Sequence, residues 1–376
     1  MSRLTSGLAA AAFALAGLAV NPVLAEEVVK IGVVQATTGG SAALYGIEQK
    51  NAAELAVEEA NASKALGDIK LEIIHLDDGA DRGQTVNIYQ RLIGRDNVSI
   101  IIGPTLSTSA FAADPIAQKA GVPVIAASNT ASGITEIGDY IFRISPPEDR
   151  VTPLVLKELV KRSAIKKAAQ IYTIDDQLSK SAYNVQKKAL EDLGIEIVAT
   201  ETFQRGDVEF SAQLTKIKAA QPDLIVLGAL AEETANILRQ ARQLGIPENV
   251  GFLGTQSSIS QKFFELAGPA AEGLIAGTAW YIDSPEPKSV EFVKKYEERY
   301  NKKPDIYSAY GYDAASLVIE AIKRAKSGDR KAIRDELAGI KDFPGVLGKI
   351  GFDEGREPLV EPKILVANEG RFVPLK

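Results

Sequence analysis

Residues 100–130, IIIGPTLSTSAFAADPIAQKAGVPVIAASNT, decide how this chain is read. Ile100 to Gly103 is a short apolar run without polar alternation, and a second such run spans Val122 to Ala126. Between them Ser109 to Ala120 carries a helical repeat. Two fully apolar strands joined through a helix are the signature of a parallel sheet covered on both faces. Each strand here ends in a loop of small hydroxyl residues, Thr105-Leu106-Ser107-Thr108-Ser109 after the first and Ser128-Asn129-Thr130 after the second.

The same alternation extends in both directions. Upstream it predicts strands at Val28 to Val34 and Leu71 to Leu76, with helices at Ile47 to Ala60 and Thr85 to Arg95. Downstream, Ile141 to Ile144 gives one more strand, and Ser145-Pro146-Pro147 then stops the pattern, because successive prolines cannot continue a ladder. A second set follows: strands at Ala169 to Thr173, Glu196 to Ala199, Leu224 to Leu227 and Val250 to Leu253, interleaved with helices at Thr152 to Lys161, Ser181 to Leu193, Phe210 to Ala220 and Glu232 to Leu244. Helices at Ser289 to Tyr300, Tyr307 to Ala325 and Arg330 to Ala338 are expected to return to the first unit, ahead of strands at Lys349 to Phe352 and Pro362 to Val366. Turn-rich stretches at Gly277 to Tyr281 and Gly345 to Gly351 read as two further crossings. The expectation is an α/β protein of two doubly wound parallel-sheet lobes on a three-segment hinge. Lobe 1 would be residues 26–145 with 280–345, and lobe 2 residues 146–279 with 346–376.

A length of 376 residues exceeds what one core usually fills, which agrees with two lobes. The net charge of −6 is dispersed, with no basic cluster, so nucleic acid is not an expected partner. The chain has no Cys, which removes thiol nucleophiles and thiolate metal sites. Its single His, His75, lies inside a strand beside Asp77 and Asp78 and reads as structural. No Ser elbow, phosphate loop or dinucleotide fingerprint is present, so no catalytic residue, metal site or cofactor is expected. Arg3, the apolar run Leu8 to Val20 and Val23-Leu24-Ala25 form a secretory signal peptide over residues 1–25, which predicts a soluble mature chain from about Glu26.

Ligands of open α/β sheets collect outside the carboxyl ends of strands, where helix N-termini offer unpaired N–H groups to anions. Taken singly, Ser107 and Ser109 read as helix N-caps; taken with Thr130, they read as an anion site.

Lys30-Ile31-Gly32-Val33, Tyr45-Gly46, Asp77-Asp78, Ile102-Gly103-Pro104, Val122-Pro123-Val124-Ile125, Ile237-Leu238-Arg239-Gln240-Ala241-Arg242, Ala271-Glu272-Gly273-Leu274 and Tyr312-Asp313-Ala314-Ala315 occur in this order along the chain. On these residues the chain resembles the leucine/isoleucine/valine-binding family of periplasmic solute-binding proteins over essentially its whole mature length. The resemblance implies the type I periplasmic binding protein fold and a periplasmic, monomeric subunit of an ABC importer. Such a subunit closes its lobes on a small carboxylate-bearing solute and delivers it to an inner-membrane permease. A ligand-sensing domain working with a separate receptor is the alternative, and a secreted enzyme a third class.

By the same resemblance Ser107, Ser128 and Thr130 hold the ligand carboxylate and Tyr45 walls the pocket. The family's ammonium-binding Glu is replaced by Gln256, and its second-lobe aromatics by Gln177 and Leu230. Tyr307 and Trp280-Tyr281 are candidate aromatic walls, while Asp313 and Arg143 read as structural. An amine would need Asp175, Asp176, Glu232 or Asp283 as its partner, so amino acids and aromatic or aliphatic carboxylates both stay open.

Overall fold

The computed structural model describes residues 27–376; the signal-peptide reading of residues 1–25 lies outside them. The first unit runs β1 (Glu27–Gln35), α1 (Ala43–Ala62), β2 (Ile69–Asp77), α2 (Arg82–Gly94), β3 (Ile100–Ile102), α3 (Ser107–Ala120), β4 (Val124–Ala126) and β5 (Ile141–Arg143). The second runs α4 (Glu148–Arg162), β6 (Lys167–Thr173), α5 (Gln177–Asp192), β7 (Glu196–Phe203), α6 (Ser211–Ala219), β8 (Leu224–Gly228), α7 (Ala231–Gln243), β9 (Gly251–Leu253), α8 (Gln261–Ala267) and β10 (Leu274–Thr278). Helices α9 (Pro287–Tyr300), α10 (Ile306–Ala325) and α11 (Arg330–Ala338) follow, then β11 (Phe343–Gly345), β12 (Gly348–Ile350), β13 (Lys363–Asn368) and β14 (Arg371–Pro374).

The first sheet is parallel throughout, in the order β2-β1-β3-β4-β5. In the second sheet, β14-β13-β10-β9-β8-β6-β7, the strands β7-β6-β8-β9-β10 repeat that order, again in parallel. Each half therefore has its switch point where the chain leaves its first strand to opposite sides, and the crevice at that point is where such sheets take ligands.

The second sheet goes beyond the sequence reading. Gly277, read as the start of a turn-rich crossing over Gly277 to Tyr281, lies inside β10 and is a packing device there: a Cβ would stand 2.2 Å from Val151 Cγ1 of α4. β13 and β14 add an antiparallel edge to an otherwise parallel sheet.

The late helices do pack on the first unit. Gly311 lets α10 press against α1, since a Cβ would fall 2.3 Å from the Gln49 carbonyl oxygen, and Lys295 of α9 reaches Glu59 of α1 at 3.1 Å. The third crossing comes later than the 345/346 division read from the sequence. Asp313 of α10 accepts the N–H groups of Val346 and Leu347, both at 2.9 Å. Phe352 then packs edge-on against Phe142, and Arg143 forms a two-pronged bond with Glu357, Nε to Oε2 at 2.6 Å and Nη2 to Oε1 at 2.7 Å. Residues 346–357 are therefore tied to the first unit, with Arg150 of α4 also bonded to Asp353. Their glycines look like a breaker in the sequence, but a buried carboxylate and a buried guanidinium hold them in place.

Candidate functional site

A cavity lies between the two units at the carboxyl ends of their strands. From the first unit it is lined by Tyr45, by Thr105, Leu106 and Ser107 after β3, and by Ser128 and Thr130 after β4. From the second come Asp176 and Leu178 after β6, Leu230 after β8, and Gln256 and Ser257 after β9. Tyr307 and Tyr310 of α10 complete it. It is small, about 20 Å³ for the centre of a water molecule, which is room for one or two waters. A solute the size of leucine enters only if the two units part or the three leucines turn.

Direct bonds span the cleft. Thr108 Oγ1 donates to Asp176 Oδ2 at 2.8 Å and accepts the Gln177 N–H at 2.9 Å. The Ser132 N–H donates to Ser181 Oγ at 2.9 Å, and the Ala231 N–H to the Tyr45 hydroxyl at 2.9 Å. This is a closed arrangement.

The helix N-termini set the chemistry. α5 and α10 are capped by Asp176 and Asp305, whose carboxylates accept N–H groups of the first turn. α3 and α7 are preceded by Leu106 and Leu230, which supply no capping oxygen. Ser107 and Ser109 are thus not caps. Ser107 is the first residue of α3, and its hydroxyl meets only the Ala131 N–H, at 3.4 Å. Ser109 points inward to Thr85, 3.0 Å away. The open end of α3, with the Ser107 hydroxyl beside it and Thr130 across a loop, suits a carboxylate. Ser128 is less free, for its hydroxyl donates to the Thr105 carbonyl at 3.0 Å and accepts from Gln49.

The walls are apolar. Tyr45 and Tyr307 lie with ring centroids 4.4 Å apart, and Leu106, Leu178 and Leu230 belong to the same continuous buried cluster. Burial pushes both tyrosine hydroxyls well above their ordinary range, so they remain neutral. Among the described residues no Lys, Arg or His lines the cavity, and Asp176 is the one carboxylate that does. Asp176 accepts the Ser179 N–H and hydroxyl on Oδ1 and Thr108 on Oδ2. A carboxylate has about four lone-pair sites, so one acceptor position is left.

Of the residues singled out in the sequence, Tyr45, Ser107, Ser128, Thr130, Leu230, Gln256 and Tyr307 come together here. Gln177 does not. Asp176 must turn inward to cap α5, and the first helical turn then carries residue 177 to the surface, bringing Leu178 into the wall instead. Gln256 lines the cavity, but its amide is committed elsewhere: Nε2 donates to the Pro146 carbonyl at 2.8 Å and Oε1 accepts from the Tyr310 hydroxyl at 3.0 Å. Leu106, Ser257 and Tyr310 were missed. Tyr310 was legible in principle, one helical turn from Tyr307 on the same face. Trp280 packs outside the cavity, its indole N–H bonded to Ser289 at 2.7 Å.

A model described as "Periplasmic binding protein" matches residues 28–366. The chain belongs to this family. Its fold is that of a type I periplasmic binding protein. This periplasmic binding protein is 28% identical over 345 residues to a leucine-, isoleucine-, valine-, threonine- and alanine-binding protein of Pseudomonas aeruginosa, covering 92% of this chain and 90% of that one. It is similar to the branched-chain amino acid transporter substrate-binding protein of Streptococcus pneumoniae, solved with isoleucine, at 28% identity and a TM-score of 0.85, covering 93% of this chain and all (100%) of that one. It is also similar to an ABC-transporter solute-binding protein of Rhodopseudomonas palustris, solved with 3,4-dihydroxybenzoic acid, at 26% identity and a TM-score of 0.82, covering 93% and 96%. Among the described residues no cluster of His, Asp or Glu is placed to hold a metal ion, and no helix is long and apolar enough to cross a membrane.

Proposed function

We propose that this periplasmic binding protein is the monomeric solute-binding subunit of an ABC importer of the branched-chain amino acid type, and that it takes an α-amino acid as the zwitterion. One observation carries the choice of ligand: the cavity has an uncapped helix end with two hydroxyls at one side, Asp176 at the other, and no cationic side chain. A solute of net charge −1 would bring its charge into an apolar site beside Asp176 without compensation. A zwitterion meets N–H and hydroxyl donors with its carboxylate and the free acceptor position of Asp176 with its ammonium. The remaining wall is leucine and tyrosine, which suits an aliphatic side chain. The solute would reach an inner-membrane permease when the lobes reopen, with no bond made or broken.

A carboxylate lacking an amine is the second reading, favoured by Gln256 standing where the family resemblance puts an acid and by the dihydroxybenzoate held by the Rhodopseudomonas palustris relative. Calorimetric titration with the twenty standard L-amino acids, benzoate and 3,4-dihydroxybenzoate separates the two, with Asp176→Asn as the probe. Asn still caps α5 with its one amide oxygen and turns an N–H donor toward Thr108 Oγ1, but carries no charge. The amino acid should bind at least about tenfold more weakly to this variant, the expected cost of losing a charge-assisted bond. Tight binding of benzoates by wild type, with no amino acid bound, would reverse the assignment.

A further inference from the structure

Glu148 opens α4 at the first crossing, directly after Pro146 and Pro147, and is 2% exposed. Thr152, one turn further along α4, donates to its Oε2 at 2.9 Å. The main-chain and side-chain amides of Gln256, from the second lobe, face the same carboxyl group. Thr130, from the first lobe, has its hydroxyl 3.5 Å from Oε1, placed to donate to an ionised Glu148 and to accept from a protonated one. The Glu148 N–H also bonds the Thr130 carbonyl at 3.0 Å, which fixes the two residues side by side.

Among the described residues no Lys, Arg or His stands in this set. The titratable groups facing Glu148 are Tyr307 and Tyr310 of α10, whose hydroxyls burial keeps protonated. Its neighbours Asp149 and Arg150 turn away to Ser132 and Asp353. Burying an ionised carboxylate with no cation is expensive, and such a group neutralises instead. Burial accordingly outweighs the bonds from Thr152, Gln256 and Thr130 and raises the Glu148 carboxyl from its ordinary value. Since Oε2 is the acceptor for Thr152, the acid hydrogen belongs on Oε1, the oxygen that faces Thr130.

We propose that Glu148 is a positioning residue: its acid hydrogen goes to Thr130 Oγ1, so that the Thr130 hydroxyl spends its own single hydrogen on the ligand carboxylate. A hydroxyl has one hydrogen to give, and whichever neighbour accepts it deprives the other. Ionised, Glu148 would draw that hydrogen away from the ligand and place a second negative charge behind the carboxylate. The inference rests on the reading above, for it requires a carboxylate beside Thr130.

The test is affinity against pH, from 5.5 to 8.5, for the tightest-binding standard L-amino acid with wild type, Glu148→Gln and Glu148→Ala. Gln keeps an N–H donor of nearly the same shape and cannot ionise. Wild type should weaken as pH rises; Glu148→Gln should match the acidic-pH affinity within about threefold and stay flat; Glu148→Ala should be at least about tenfold weaker. Rescue by Gln with a flat profile separates positioning from mere packing. If Glu148→Ala fails to fold, the Gln profile alone decides. Wild-type affinity in the Ala variant, or a Gln profile that still slopes like wild type, overturns the role of Glu148 and leaves the amino-acid reading standing. A wild type that binds neither an amino acid nor a benzoate overturns both.

Discussion

Thr108 and Asp176, 68 residues apart in the chain, meet across the cleft with Oγ1 and Oδ2 2.8 Å apart. One belongs to the first turn of α3 and the other caps α5, so two helix N-termini of different lobes share one hydroxyl–carboxylate bond. The bond forms only when the lobes are shut. It contributes to closure whatever the ligand is.

Thr108→Val removes both the donor to Asp176 and the acceptor for the Gln177 N–H. Losing about 1 kcal/mol or somewhat more of closed-state stability should weaken every ligand by the same factor, roughly five- to tenfold, mostly through faster release. Titrations with two different ligands and stopped-flow release rates check this. A variant that discriminates between ligands would show that Thr108 touches the solute rather than latching the lobes.

Ser107→Ala and Thr130→Val address the carboxylate end. A hydrogen bond to a charged group contributes about 1.5–3 kcal/mol, so each change should cost roughly ten- to a hundredfold in affinity. Neither should lower the ligand-free melting temperature appreciably, since the Ser107 hydroxyl makes one long bond and the Thr130 hydroxyl none shorter than 3.5 Å. Calorimetry gives the first quantity and scanning fluorimetry the second. Unchanged affinity in both would place the carboxylate elsewhere.

Gln256→Glu should act on stability more than on selectivity. The substitution takes the N–H donor from the Pro146 carbonyl and sets a new carboxylate beside Glu148, at an expected cost of about 1–3 kcal/mol. Urea unfolding measures that loss. The ratio of affinities for leucine and a matched carboxylate lacking the amine should stay where it was; a shift toward leucine would mean that residue 256 faces the ligand's second end after all.

Asp313 makes a pH prediction. Burial pushes its carboxyl up to about 7 despite two backbone N–H donors. A carboxyl raised in the folded state stabilises the protein fully below its unfolded value, near 3.8, and that contribution is lost as pH rises through about 7. Unfolding free energy should therefore decline between pH 5 and 8, and Asp313→Asn should flatten part of the decline. Denaturant titrations at the two pH values compare the slopes; an identical decline in the variant assigns it to other groups.

Much of this protein follows from local sequence. The apolar β-branched runs, the helical repeats between them and the Pro146-Pro147 break determine two doubly wound units, because strand burial and proline geometry act over a few residues. The hydroxyl-rich loops after β3 and β4 place Ser107 and Thr130 at strand ends for the same reason. Tertiary structure decided the rest. Gly277 and the glycines of 345–351 look like breakers until Val151 packs on the first and Asp313 and Arg143 hold the segment containing the others. Which side chain of Asp176-Gln177-Leu178 faces the cavity depends on a helix cap and on Thr108 across the cleft. That Gln256 belongs to Pro146 and Tyr310, and Glu148 to Thr130, depends on bonds between lobes, and a one-dimensional pattern carries no record of which distant groups will compete for a hydrogen.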